Sequence, residues 1–243
     1  MIPPFPLPRC AKALPLGGLV ALAGCVAPPM AAAPPPHASG LSPEVLAHYD
    51  AMPDGERTIP AIDPKYLSAE KARQEVGYYA PHPPGTIIVD PEARFLYQVM
   101  PGNRAMRYAV AVGPDGYAFS GEATIPYQRD WPGWRPTDNM IKRDPGQYAQ
   151  YSDGLPGGLS NPLGARALYL FRGARDTHYR IHGTSNPWSI GQATSAGCIR
   201  LYNQDIVHLA ENTAPGTRVV VVPKEQSGLW THPPIPIPNG EPT

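Results

Sequence analysis

Little in this chain of 243 residues speaks for a nucleic-acid binder, a redox dithiol or a membrane-spanning protein. Basic and acidic residues balance at 20 each, and no basic run exists that could track a phosphate backbone, which excludes nucleic acid as a partner. Cysteine is scarce: Cys10, Cys25 and Cys198 stand far apart with no Cys-x-x-Cys pair, so neither a zinc ribbon nor a redox dithiol is indicated. There is no glycine-rich phosphate loop and no internal repeat. The apolar stretch from Ala13 to Ala23 is only about a dozen residues, short of the roughly 20 that a spanning helix needs.

Proline, by contrast, is abundant, with 34 residues beside 24 glycines. Sixteen of the prolines fall within residues 1–40 and 223–243. The stretch between them is rich in Val, Ile, Leu and Tyr and can bury a core. This distribution excludes a wholly disordered chain, a collagen and a long coiled coil, and predicts one globular domain between proline-rich ends.

The N-terminus has the form of an export signal. Arg9 and Lys12 precede the short apolar stretch, which ends in Leu22-Ala23-Gly24-Cys25. That tetrapeptide resembles a bacterial lipobox, in which the cysteine is lipidated and becomes the first mature residue. A plain signal peptide with a chance cysteine is the competing reading. Residues 1–24 are thus expected to be a lipoprotein signal peptide, and residues 25–40 a tether rich in proline and alanine. The protein would be periplasmic and anchored through Cys25 to an inner or outer membrane.

Hydrophobic patterning predicts a mainly β domain of sandwich or barrel-like architecture, with one or two short helices. Helices are expected over Ser42–Met52 and 67–77, which makes the extension 41–84 partly helical. Strands are expected at Thr86–Asp90, Phe95–Val99, Tyr108–Val112, Ala167–Phe171, Tyr179–His182 and Arg218–Val222. A last helix runs from Asn203, as its cap, to Asn212. The segment 127–161 is too long for an idle connection and is expected to cover a groove as a lid.

The chemistry gathers around one cysteine. His182-Gly183-Thr184 is followed, after a loop, by Ser195-Ala196-Gly197-Cys198-Ile199-Arg200. Nucleophilic cysteine catalysis needs a thiolate, a proton-accepting histidine, a group orienting that histidine, and donors for the oxyanion. Residue types alone leave a buried structural cysteine as a strong competitor. His178 and His182 lie four apart in a predicted strand, about 13 Å along the chain, and no carboxylate pair accompanies them, so no metal site is expected. No nucleotide or other cofactor is called for.

The segment His182–Asp205 resembles the signature of the L,D-transpeptidase catalytic domain family: a histidine followed by a small residue, then a Ser/Thr-x-Gly-Cys-x-Arg block. The upstream segments Trp131–Pro136, Met140-Ile141 and Asn161–Tyr169 are similar as well. The resemblance covers most of residues 85–222, the expected catalytic domain, and leaves 41–84 and the tail 223–243 unassigned. It implies an L,D-transpeptidase-type fold in which Cys198 attacks a peptidoglycan tetrapeptide stem and His182 is the general base. The Gly183 carbonyl would orient the imidazole, and backbone N–H groups near Gly197 and Cys198 would bind the oxyanion. Arg200 would meet a stem carboxylate or form an ion pair with Asp205; Ser195 would polarise the site or make a turn; Trp188 would line the groove or simply pack. Many family members carry histidine where this chain has Ala196, which removes any second imidazole. The acyl acceptor would be a stem amine, giving a 3-3 cross-link, or an amine of an outer-membrane protein. Water as acceptor would make the protein a carboxypeptidase or cross-link hydrolase. A catalytically silent wall-binding lipoprotein is the remaining alternative.

Overall fold

The computed structural model describes residues 40–113, 120–193 and 198–233. The signal segment, Cys25 and its tether up to residue 39, the triplet Ser195-Ala196-Gly197, and residues 234–243 of the tail lie outside the described residues.

Thirteen strands and four short α-helices are formed among the described residues. The extension contains α1 (Pro43–Ala47), the hairpin β1 (Met52–Asp54) and β2 (Arg57–Ile59), and β3 (Gln74–Gly77). Next come β4 (Ile87–Asp90), β5 (Phe95–Met100), β6 (Arg104–Ala109), β7 (Ala111–Val112), β8 (Gly121–Ile125) and β9 (Gln128–Asp130). Helices α2 (Asp138–Arg143) and α3 (Pro145–Tyr148) precede β10 (Arg166–Arg172) and β11 (Arg175–His182). The chain continues with β12 (Ile199–Arg200), α4 (Asn203–Glu211) and β13 (Thr217–Val221).

Eleven strands join one sheet in the order β3-β6-β5-β4-β13-β8-β10-β11-β12-β7, with β9 added alongside β10. β6 and β7 are separated only by Val110, yet they sit near opposite ends of this order. One chain segment therefore serves both ends of a strongly curved sheet, and the sheet stops short of a closed barrel. The fold is mainly β, as expected.

Burial explains the central strands. Ile87 and Val89 face a core shared with Leu96, Tyr108, Leu168, Ile181 and Val219, into which α4 inserts Ile206 and Leu209. Ile88, on the other face, packs with Tyr78, Tyr97 and Val222 beneath Trp230. Covered on both faces, β4 reads as a continuous apolar run rather than an alternating one. The described part of the tail is thus a sheet cover: Tyr78 and Trp230 meet edge-on at 6.2 Å, and Ser227 and Gly228 hydrogen-bond Asp90.

The extension differs from its sequence reading. The first helix ends at Ala47, and the stretch expected to be helical over 67–77 is turn followed by β3. The edge of the sheet supplies the reason: Gln74–Gly77 pairs antiparallel with Arg104–Arg107, and ladder hydrogen bonds override a weak helical preference. The extension also shares a core with the sheet, where Tyr49, Ile62, Leu67 and Ala72 pack against Ala109, Ala111, Ile190 and Tyr202. Strand β6 starts at Arg104, four residues ahead of the expected Tyr108.

Two carboxylates fasten the extension, Asp205 buried and Asp54 half-buried. Asp205 of α4 meets Arg73 at 3.0 Å and Tyr49 at 3.3 Å, and burial lifts its pKa to about 6 even though Arg73 opposes the shift. The expected alternative of an Arg200–Asp205 pair is corrected by this: the Asp205 carboxylate is turned to the extension. Asp54 on β1 accepts from both terminal nitrogens of Arg166 at 2.7 and 2.6 Å and from the Trp131 indole N–H at 2.7 Å. No helix among the described residues is long and apolar enough to cross a membrane.

Candidate active site

The site forms where β11 ends beside β12. These strands run parallel, with Ile181 opposite Ile199 and His182 opposite Arg200. Continuing the register one residue back sets Cys198 opposite Arg180. Residues two apart on a strand share a face, and aligned residues of a parallel pair share it too. Arg180, His182, Cys198 and Arg200 therefore project from one face of the sheet.

His182 is buried, and its Nδ1 lies 2.7 Å from the Gly183 carbonyl oxygen. A carbonyl only accepts, so Nδ1 carries the proton and the neutral ring keeps Nε2 as its basic nitrogen. Burial, aided by the charge of Arg200, pushes the His182 pKa down to about 3, against smaller upward contributions from hydrogen bonds to the Gly183 and Leu163 backbones. Cys198 is partly exposed, but the protein packed around it pushes its thiol pKa up. A hydrogen bond from the Arg180 backbone and the charges of Arg180 and Arg200 act against that rise without overcoming it. At neutral pH the resting pair is thus a thiol and a neutral imidazole, with no standing ion pair.

Asn203 holds this geometry. Helix α4 begins at Asn203, with Tyr202 at the cap position, so Asn203 is not the cap its residue type suggests. Its side chain lies inside the protein, where Oδ1 accepts from the N–H groups of Ala165 and Thr184 at 3.0 and 3.1 Å and Nδ2 donates to the Thr184 carbonyl at 2.9 Å. The two loops flanking the imidazole are thereby tied together. Their glycines are sterically required: a Cβ on Gly183 or on Gly164 (φ +64°) would overlap the Asn203 amide oxygen. Nothing in residue spacing signals this role, because the partners lie 38 and 19 residues away.

Two clefts meet at Cys198. The wider, of about 610 Å³, includes Arg135, Arg143, Tyr169, His178 and Arg180 in its wall. The narrower, of about 450 Å³, is lined by His182, Thr184, Trp188, Arg200, Tyr148 and Tyr151, among others. Trp134, Met140, Leu163 and Cys198 belong to both walls. Trp188 is 48% exposed at this cleft.

The covering segment is narrower than the expected 127–161, because Gln128–Asp130 pair with β10 as β9. Beyond it, Trp131–Leu163 carries α2 and α3 and supplies wall residues to both clefts. Its base is clamped. Trp131 bonds the Ala165 carbonyl at 2.8 Å through its backbone and Asp54 through its indole, and the Arg57 guanidinium lies 5.3 Å from its ring centroid. The extension thus reaches both the covering segment and the start of β10.

The family model describing the L,D-transpeptidase catalytic domain matches residues 84–221. A probable L,D-transpeptidase ErfK/SrfK of Escherichia coli K12 is 32% identical over 144 residues, covering 57% of this chain and 44% of that protein. A probable L,D-transpeptidase YcfS of the same organism is 33% identical over 141 residues, covering 57% and 43%. The chain thus spans less than half the length of these two relatives. A solved structure from Brucella melitensis, described as a probable carnitine operon oxidoreductase, is 47% identical and covers 65% of this chain and 98% of that one. Its TM-score of 0.45 lends that description no weight here.

The protonation states give a direct test. Iodoacetamide should alkylate Cys198 at a rate that rises about tenfold per pH unit from pH 6 to 8, with no plateau, because thiolate is formed only by free ionisation. His182→Ala should change that rate by less than about threefold, since no ion pair is lost. A rate that is flat below pH 7 and collapses in His182→Ala would contradict the neutral pair.

Proposed function

Because the chain belongs to the L,D-transpeptidase catalytic domain family, we propose that it acylates Cys198 with a peptidoglycan stem peptide and passes the acyl group to an amine. The observation that carries this reading is the meeting of two clefts at Cys198, with a tautomerically fixed histidine on the same sheet face. Acyl transfer between two large substrates needs a separate approach for each.

In the first half-reaction Nε2 of His182 takes the thiol proton and the sulfur attacks the stem carbonyl carbon. The imidazolium formed is held by the Gly183 carbonyl, the role a carboxylate fills in other triads. Backbone N–H groups at Gly197 and Cys198 stabilise the oxyanion. The C–N bond to the terminal D-alanine then breaks, and the imidazolium proton leaves with the departing amine. In the second half-reaction His182 deprotonates the incoming amine, which attacks the thioester and releases the Cys198 thiol. A stem side-chain amine as acceptor gives a 3-3 cross-link, and a protein amine attaches that protein to the wall. Arg200 lines the narrow cleft and would meet a stem carboxylate there. Trp188 and Ser195 contribute to substrate positioning.

Lipidation of Cys25 would hold this chemistry in the periplasm at a membrane surface, with the proline-rich tether setting its reach. Radiolabelled palmitate should enter the wild-type protein and not Cys25→Ala; equal labelling removes the anchor from the account.

Intact mass after exposure to a carbapenem should show one covalent adduct on the wild type and none on Cys198→Ala. An unmodified wild type at saturating drug sinks the thioester reading. Muropeptides produced by the purified enzyme then identify the acceptor, with trimmed stems and no new cross-link marking water.

A further inference from the structure

A row of side chains crosses the sheet from its solvent side to the nucleophile. Tyr169 on β10 is paired with Arg180 on β11, and the β9–β10 register, carried one residue back, places Tyr127 opposite Tyr169. The Tyr169 N–H donates to the Tyr127 carbonyl at 3.3 Å, which fixes that alignment. Cys198 stands opposite Arg180. Tyr127, Tyr169, Arg180 and Cys198 therefore form one line across neighbouring strands and share one face.

Side-chain contacts make the line continuous. Tyr127 and Tyr169 stack with ring centroids 4.6 Å apart, and Phe171 meets Tyr127 edge-on at 5.9 Å. The Arg180 guanidinium carbon lies 4.1 Å from the Tyr169 centroid, and Asp176 grips the same guanidinium through two contacts of 2.8 Å. The Arg129 guanidinium carbon lies 5.7 Å from both tyrosine centroids. Among the described residues, none of these three aromatics joins a hydrophobic cluster; the core takes the alternate residues Leu168 and Leu170. Tyr127, at the outer end, is 37% exposed. Aromatic rings on the outward side of a strand, flanked by guanidinium donors, suit a sugar: the rings cover its C–H face and the donors meet its hydroxyls.

We propose that Tyr127 and Tyr169 form a saccharide platform that holds the glycan strand from which the donor stem hangs. This rests on the acyl-transfer reading. Chain lengths support it. The outer end of the row lies three strand spacings from Cys198, about 14 Å across the sheet. In a tetrapeptide stem the attacked carbonyl belongs to the third residue, and three extended residues reach at most about 11 Å. The lactyl group joining the stem to its sugar is about as long as one more residue, roughly 3.5 Å. Together they bring the sugar to the distance of Tyr127. A stem laid along the wider cleft, whose wall includes Tyr169, Arg180 and Cys198, thus delivers its sugar to the exposed ring. A bare peptide would end short of it.

The test compares a free tetrapeptide stem with the same stem on its N-acetylglucosaminyl–N-acetylmuramyl disaccharide. Cys198→Ala in the full chain lets binding be read without turnover. Calorimetry should show the disaccharide form binding about tenfold more tightly. Adding Tyr127→Ala should bring that ratio below about twofold and leave the affinity for the free stem within about twofold, as for an exposed substitution. Adding Tyr127→Phe instead, which keeps the ring, should retain the preference. A β-1,4-linked N-acetylglucosamine tetrasaccharide should compete with the disaccharide form until its affinity falls to that of the free stem. Equal binding of the two forms, binding of neither, a preference that survives Tyr127→Ala, or loss of free-stem affinity in that variant would overturn the proposal. The two readings fail separately. Carbapenem acylation of a chain with no sugar preference removes only the platform. A sugar preference in a chain that is never acylated keeps the platform and removes acyl transfer.

Discussion

The hydrogen bond between His182 Nδ1 and the Gly183 carbonyl is the interaction on which the rest of the site depends. It leaves Nε2 as the proton acceptor, and it needs the backbone after β11 to turn its carbonyl back toward the preceding ring. That turn is held by a buried amide. Asn203 pins Thr184 from both sides and Ala165 from one, so α4 supports the loops on either side of the imidazole. Gly164 and Gly183 accept the close approach of the amide oxygen that any side chain would block. A neutral side chain at the centre of this network avoids burying another charge beside a histidine whose pKa is already depressed.

The extension belongs to the same mechanical unit. Asp54 joins the hairpin β1–β2 to Trp131 at the start of the covering segment and to Arg166 at the start of β10. Asp205 joins α4 to Arg73 and Tyr49. Each end of the path from α4 to the covering segment therefore rests on residues 49–73, and the described part of the tail covers the opposite sheet face through Trp230.

Much of this was legible in the sequence, for physical reasons that can be named. Runs such as Ile87-Ile88-Val89 are buried on both faces, and β-branched runs of that kind mark strands without ambiguity. The pairing of His182 with Cys198 rests on a motif resemblance; residue types alone favour a structural cysteine. Contacts between distant residues were not legible. Asparagine at the head of a helix suggests a cap, yet Asn203 serves loops 19 and 38 residues away. Gln74–Gly77 has no strong strand preference of its own and becomes one by pairing with β6. The two-residue strand β12, too short to recognise by pattern, sets the register of the candidate site.

A thioester at Cys198 formed from a natural donor is the step on which the proposed chemistry depends. A tetrapeptide stem mixed with the enzyme and quenched in acid within one turnover should leave the Cys198 peptide heavier by the tripeptide acyl group. Free D-alanine should appear in equal amount, and hydroxylamine should remove the added mass. Release of D-alanine with Cys198 unmodified at every time, or equal release by Cys198→Ala, would contradict it.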